Sequence, residues 1–195
     1  MSATTLKGER RREALCEAAA ALLREEGFLA VTHRAVAARA RLPLAATTYY
    51  FASRDELVVA AVEHRVGEEL KRGRSLVESL TVRRRSPRAM AELVLEVLHG
   101  EAGDDARLLT YYEQFLQAAR HEGVKQVLRQ ARTEVDALLT EALRRSGYTP
   151  PPVPLARLIA IVDGTVLSAL TEGTGQAAPA ARAALRELLE ETSRG

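Results

Sequence analysis

Between Thr32 and Arg54 the chain carries side chains suited to gripping a polyanion and to reading one of its edges. Arg34 has the reach and the planar fork to bond a guanine edge bidentately, and the hydroxyl of Thr48 can donate to or accept from a base. Leu44, Ala45 and Ala46 can meet thymine methyl groups or let the backbone approach closely, while Tyr49 and Tyr50 have the length to reach phosphates. His33 and Arg54 are expected on phosphate, because each falls near the start of a helix, where free backbone N–H groups favour an anion. None of this is bond-making chemistry. No nucleophile motif, phosphate loop or paired-acid site has support in the sequence. His64 and Glu68 are the one histidine pairing with ligand spacing, and a solvated helix face accounts for it equally well. Neither a metal nor a cofactor is expected.

Short side chains can read a base edge only if the backbone holds them at a fixed angle. Thr32 is a good N-cap for a helix running to Ala40, with Val36, Ala37 and Ala40 on one face. After the turn Arg41-Leu42-Pro43 a second short helix runs Leu44–Tyr50. Two short helices joined in this way form a helix-turn-helix, whose second helix can lie in the major groove. Ser53-Arg54-Asp55-Glu56 is a capping box that opens a third helix, with Leu57 leading its apolar run. Upstream, Met1–Gly8 reads as an irregular polar start. A first helix follows over Glu9–Glu26, its Leu15, Ala18, Ala19, Leu22 and Leu23 at spacings of three and four and Gly27 as its stop.

This set resembles the DNA-binding part of the TetR/AcrR family of bacterial transcriptional regulators. Thr32 stands at the family's helix-opening threonine, Val36-Ala37 at its packed pair, Tyr49-Tyr50-Phe51 at its aromatic cluster and Ser53-Arg54-Asp55-Glu56-Leu57 at its closing motif. The match runs from Arg11 to Leu57. Two positions depart from it: the usual turn glycine is Arg41, and the first of the paired tyrosines is Thr48. A left-handed conformation at Arg41 would cost of order 1 kcal/mol. The resemblance places Arg34 at a position used for DNA contact, and Thr47 at a usually apolar one, where core packing is its expected role. It implies an all-α, nine-helix fold with an N-terminal three-helix helix-turn-helix domain and a C-terminal helical domain for ligand binding and dimerisation. It also implies a small, mostly apolar or amphipathic effector that releases DNA by changing the spacing of two reading heads.

Composition agrees with helix: Ala, Leu, Arg and Glu dominate the 195 residues, and tryptophan is absent. The net charge of +2 says little, but its distribution says more. Residues 1–54 carry nine Lys/Arg against five Asp/Glu, and no acid lies between Phe28 and Arg54. The face next to the proposed DNA would thus carry Arg34, Arg39, Arg41 and Arg54 unopposed. The single cysteine, Cys16, excludes an intramolecular disulfide, fits a reducing cytoplasm and reads as a small apolar filler on the first helix. No signal peptide is recognisable, and the most apolar segment, Leu155–Leu170, contains Arg157 and Asp163, which argues against a membrane span.

The expected division is a reading domain over residues 1–53 and an effector and dimerisation domain over 54–195. The third helix continues through Val58, Ala61, Val62, Val66 and Leu70, towards Leu80. Beyond the basic break Arg83-Arg84-Arg85-Ser86-Pro87 come Arg88–His99, Asp105–His121, Val124–Ser146, Leu155–Thr171 and, just after Pro179, Ala180–Thr192. Leu155–Thr171 is apolar nearly all round and must be covered on both sides. Leu155, Ile159, Ala160, Gly164, Leu167 and Ser168, with Leu185 and Leu188 of the last helix, are the candidates for a homodimer interface, as the family's four-helix bundle implies. A cavity among the middle helices would be lined by Leu93, Val97, Tyr111, Tyr112, Phe115, Leu139 and Val162, with Gln114 or His99 orienting a polar group of the ligand. The expected partners are therefore a double-stranded operator, a second copy and a small molecule. Two other readings stay open: a regulator without ligand, controlled by a protein partner, and a small helical enzyme that uses the cavity.

Overall fold

The structure, a computed structural model, describes residues 3–100, 104–148, 151, 153–173 and 175–192. Among them there are nine α-helices, one short 3-10 turn and no strand. The first helix, α1 (Ala3–Glu26), begins at Ala3 rather than at Glu9. Once a helical nucleus is anchored, each added residue gains a backbone hydrogen bond, and this carries the helix back through the polar start and past Gly8. Its apolar stripe is buried as the spacing predicts, with Leu15, Ala19 and Leu23 fully inaccessible. Cys16 lies on the same side, 4% exposed, and burial raises its thiol pKa, so it behaves as a small apolar filler.

Gly27, at φ 82°, ends α1 and leads into the turn Phe28–Ala30, which the sequence periodicity does not reveal. Then come α2 (His33–Ala40), α3 (Leu44–Tyr50) and the long α4 (Arg54–Ser79). The chain through Glu68, together with Glu113–Gln130, forms one compact unit. Glu113–Gln130 contains the end of α6 (Asp105–Ala118) and the start of α7 (Glu122–Arg145). α6 stops at Ala118 and not at His121, because Ala119, Arg120 and His121 tighten into i→i−3 bonds at 3.0–3.2 Å. That turn brings the His121 ring flat against Phe28, centroids 5.6 Å apart.

The second unit comprises Glu69–Tyr112 and the chain from Ala131 onward. It holds the rest of α4, α5 (Pro87–His99), α8 (Leu155–Glu172) and α9 (Ala177–Thr192), with the remaining parts of α6 and α7. Its core gathers Met90, Val94, Leu108, Leu139, Leu143, Leu158, Val162, Leu185 and Leu189, and α9 packs on α8 and α5. Helix α9 starts at Ala177, ahead of Pro179, because Asp105 of α6 supplies the missing cap, its Oδ1 accepting from Ala177 N–H at 3.1 Å. The basic break before α5 is pinned rather than loose. Arg85 Nη1 donates to Ser146 Oγ (3.1 Å) and to the Thr81 carbonyl (3.2 Å), while Arg85 N–H meets the carbonyl of the buried Ser146. No helix among the described residues is long and apolar enough to cross a membrane.

Candidate functional site

The first unit holds α3 at a fixed angle through short-range bonds. Thr32 caps α2, its Oγ1 accepting from Ala35 N–H at 3.2 Å. Arg41 then takes up the left-handed conformation, φ 54° and ψ 40°, its N–H bonding back to the carbonyls of Ala37 and Ala38. The turn thus keeps the geometry that favours glycine, with an arginine in place at a cost of about 1 kcal/mol. Within α3, Thr47 is fully buried and its hydroxyl donates to the Leu44 carbonyl at 2.8 Å, so it is a packing residue. Phe51 wedges beneath, 3% exposed, with the Arg12 guanidinium 5.6 Å from its ring centroid. The box that opens α4 is offset by one residue: Ser53 Oγ accepts from Glu56 N–H at 3.1 Å, and Glu56 Oε2 accepts from Ala52 N–H at 2.7 Å, where Ser53 N–H would be usual.

On the outer side of α3, Leu44, Ala45, Thr48 and Tyr49 are exposed, Tyr49 at 81%, while Ala46 is half-buried. The Thr48 hydroxyl donates to the Ala45 carbonyl at 3.3 Å, which leaves its acceptor capacity unused. Tyr49 packs edge-on against Tyr50, centroids 4.9 Å apart. Tyr50 is half-buried, and its hydroxyl lies 3.5 Å from where a Cβ on Gly8 of α1 would stand.

The four arginines of the acid-free stretch divide into two pairs. Arg39 is not unopposed: its Nη1 and Nη2 donate to Glu25 Oε2 and Oε1 at 2.7 and 2.6 Å, across from α1. These bonds hold the Glu25 carboxyl below the usual carboxylate range. Arg54, expected on phosphate, instead turns its guanidinium inward. Its Nε donates to the Val31 carbonyl at 2.9 Å and Nη2 to the Phe28 carbonyl, tying the start of α4 to the segment before α2. The guanidinium groups of Arg34 and Arg41, by contrast, are exposed and make no intramolecular hydrogen bond or ion pair among the described residues. His33 is half-buried, and its Nδ1 is buried without a hydrogen-bond partner. Behind α3 an open cleft of about 460 Å³ runs between Phe51 and the Arg120–Gly123 corner. Its charges are mixed, and Glu56 and Glu122 are already bonded to Ala52 N–H and Lys125.

The second unit brings most of the expected cavity residues into one place. Leu93, Val97, Tyr112, Leu139 and Val162 are buried in its core and Tyr111 packs against them. Phe115 is not among them: it is 48% exposed and belongs to the first unit. The side chain of Gln114 lies outside the described residues. At the polar end of this group Tyr112 donates to Asp163 Oδ1 at 2.8 Å, and His99 Nε2 lies 3.1 Å from the same phenol oxygen. Burial depresses His99 to a pKa of about 4 and, with the neighbouring Asp163 charge, pushes Tyr112 up; burial also raises Asp163. Sequence reasoning missed Asp163 as a site residue. The signal was present, since it is the lone acid in an apolar helical stretch, but it served only to argue against a membrane span.

Of the residues expected between two copies, Leu185 is fully inaccessible and Ile159 and Leu188 are 6% exposed, all within the core of this unit. They face inward because α9 packs on α8 and α5 of the same chain. Ala160, Gly164 and Ser168 are exposed along α8, and Leu155 and Leu167 are half-buried. Among the described residues no group of three or more His, Cys, Asp or Glu could hold a metal ion.

Residues 15–61 match the domain described as bacterial regulatory proteins, tetR family, and residues 85–191 match the tetracyclin repressor-like C-terminal domain. The nicotine-responsive transcriptional repressor HdnoR of Paenarthrobacter nicotinovorans is 28% identical over 163 residues, spanning 80% of this chain and 82% of that protein. Among solved structures, the multidrug binding protein EbrR complexed with imidazole is 30% identical with a TM-score of 0.66, covering 91% of this chain and 94% of EbrR. A member of the TetR family from Streptomyces coelicolor A3 is 28% identical with a TM-score of 0.60, covering 91% and 97%.

Proposed function

Because this chain belongs to the TetR family of bacterial transcriptional regulators, we propose that it is a cytoplasmic repressor that sits on a palindromic operator as a homodimer and leaves it when a small molecule binds. Residues 1–53 act as the reading domain and 54–195 as the effector and dimerisation domain. The observation that carries the reading half is the outer face of α3, where Leu44, Ala45, Thr48 and Tyr49 stand exposed above a base locked by Thr47 and Phe51. Arg34 supplies the base-reading guanidinium, and Thr32, His33, Ala46 and Tyr50 border the contact. Arg54 serves by holding the head together. One such head reads few bases, so two are needed about 34–36 Å apart, one turn of DNA. The exposed Ala160, Gly164 and Ser168 of α8, flanked by Leu155 and Leu167, form the face offered to the second copy, and among the described residues nothing beyond the adjoining backbone of α8 lies within 4 Å of where a Gly164 Cβ would stand.

The effector half is supported by the polar group His99, Tyr112 and Asp163 at the edge of the apolar core of the second unit, and by relatives described as nicotine-responsive or as multidrug binding. Selection of bound sequences from a random duplex pool, followed by salt titration of the winner, tests the proposal. A palindrome with half-sites one turn apart and an affinity falling steeply with salt is expected. No enriched sequence, or binding indifferent to salt, would overturn it.

A further inference from the structure

Resting on the DNA reading above, we infer that Lys7 and Arg11, on one flank of α1, clamp the phosphate backbone of the operator beside the end of the reading helix. The start of α1 is held against that end. A Cβ on Gly8 would stand 3.5 Å from the Tyr50 hydroxyl, and the Arg12 guanidinium lies 5.6 Å from the centroid of the Phe51 ring. Gly8 and Arg12, four positions apart, therefore turn together towards the close of α3. Because α1 is helical from Ala3, Lys7 has a fixed direction relative to that face. The seven residues of α3, rising about 1.5 Å each, span about 10 Å. An element bordering its end stands level with the phosphate rim of a major groove about 12 Å wide.

From that orientation the charges of α1 sort by side. Glu9 and Glu13 share one flank, and Glu13 Oε1 lies 3.3 Å from Nδ1 of His64, so this flank faces α4. Lys7 and Arg11 share the opposite flank, and Arg10 stands about half a turn round from Gly8. Lys7, Arg10 and Arg11 are exposed and make no hydrogen bond or ion pair among the described residues. No acid stands three or four positions from Lys7 or Arg11. Each instead has the other, a like charge at a spacing that works against the helix. The fold gains nothing from this pairing, and a polyanion alongside supplies the partner that both cations lack. Phosphates carry no base information, so the clamp adds affinity and leaves sequence choice to α3 and Arg34.

The experiment titrates the selected operator and a scrambled duplex, at several salt concentrations, with the full chain as wild type, Lys7→Ala, Arg11→Ala and Arg10→Ala. All three substitutions remove one positive charge from the same helix. Lys7→Ala and Arg11→Ala each weaken binding by about 3- to 30-fold on both duplexes alike, and each lowers the log–log salt slope by about 1 per reading head. Arg10→Ala, its charge on the far side, stays within about twofold of wild type with the slope unchanged. Lys7→Ala and Arg11→Ala melt no lower than wild type, because a repulsive pair has been removed. An equal loss for Arg10→Ala, an unchanged slope, or a lower melting temperature for the two flank variants overturns the clamp. If wild type selects a palindrome and the flank variants bind as it does, the repressor reading stands and only this inference falls. If no sequence is selected although duplex binding loses its salt slope in the flank variants, the repressor reading falls and the clamp stands.

Discussion

In the reading head, Arg39 and Arg54 are engaged by Glu25 and by backbone carbonyls, while Arg34, Arg41, Thr48 and Tyr49 remain open to solvent. In the second unit the polar groups most altered by their surroundings, His99, Tyr112 and Asp163, face one another at the edge of the core. The head is arranged to present polar atoms that the fold does not consume, as a surface that meets phosphates and base edges must be. The helical unit holds polar atoms that bond to one another at the edge of an apolar core, where partial burial costs stability.

The largest effect that sharpens this contrast is expected at Leu185. Leu185→Ala should lower stability by about 3 kcal/mol, as for other fully buried leucines, in a denaturant titration. A loss below 1 kcal/mol would mean that the side chain is not enclosed by its own chain. The next effect is electrostatic. His99 has a folded pKa near 4, below its ordinary 6.5, so its neutral form is favoured by folding. The stability it contributes is complete above pH 6.5 and is lost as pH falls through about 4. The raised Asp163 works with the opposite sign, its share being lost as pH rises through its folded value. Subtracting the pH–stability curve of His99→Gln from that of wild type isolates the first contribution, a fall on the order of 2 kcal/mol on acidification after discounting the partly open edge of the ring. Superimposable curves would remove His99 from the buried network. The smallest effect lies in the head. Arg41→Gly should raise stability by about 1 kcal/mol by relieving the left-handed strain, with the melting temperature as the readout. A lower melting temperature would mean that the arginine side chain makes a contact worth more than the strain.

Much of the head could be read from neighbouring residues. Thr32, the Arg41 turn and the Ser53 box act over three or four positions, so their residue types alone announce them. The pairing of Arg39 with Glu25 spans 14 residues and that of Arg54 with Phe28 spans 26. No local pattern distinguishes those arginines from Arg34, and charge counting treated all four alike. The same reason governs the second unit. Periodicity gave its helices to within a few residues, but the bond from Tyr112 to Asp163 joins positions 51 apart and exists only once α6 and α8 have packed. Helix ends moved where a distant group supplied a cap, as Asp105 does for Ala177, or where the last turn tightened into i→i−3 bonds, as at Ala119–His121.

The most direct test of the division among the arginines is anisotropy titration of the selected operator and of a scrambled duplex with wild type, Arg34→Ala and Arg39→Ala. Arg34→Ala should lose about 10- to 100-fold on the operator and far less on the scrambled duplex, as expected for a base-reading guanidinium. Arg39→Ala removes a guanidinium already paired with Glu25 on the solvent-screened surface and should stay within about threefold of wild type on both duplexes. Equal losses for the two substitutions on both duplexes would contradict the account, because the arginine bound to Glu25 would then matter to DNA as much as the one left open.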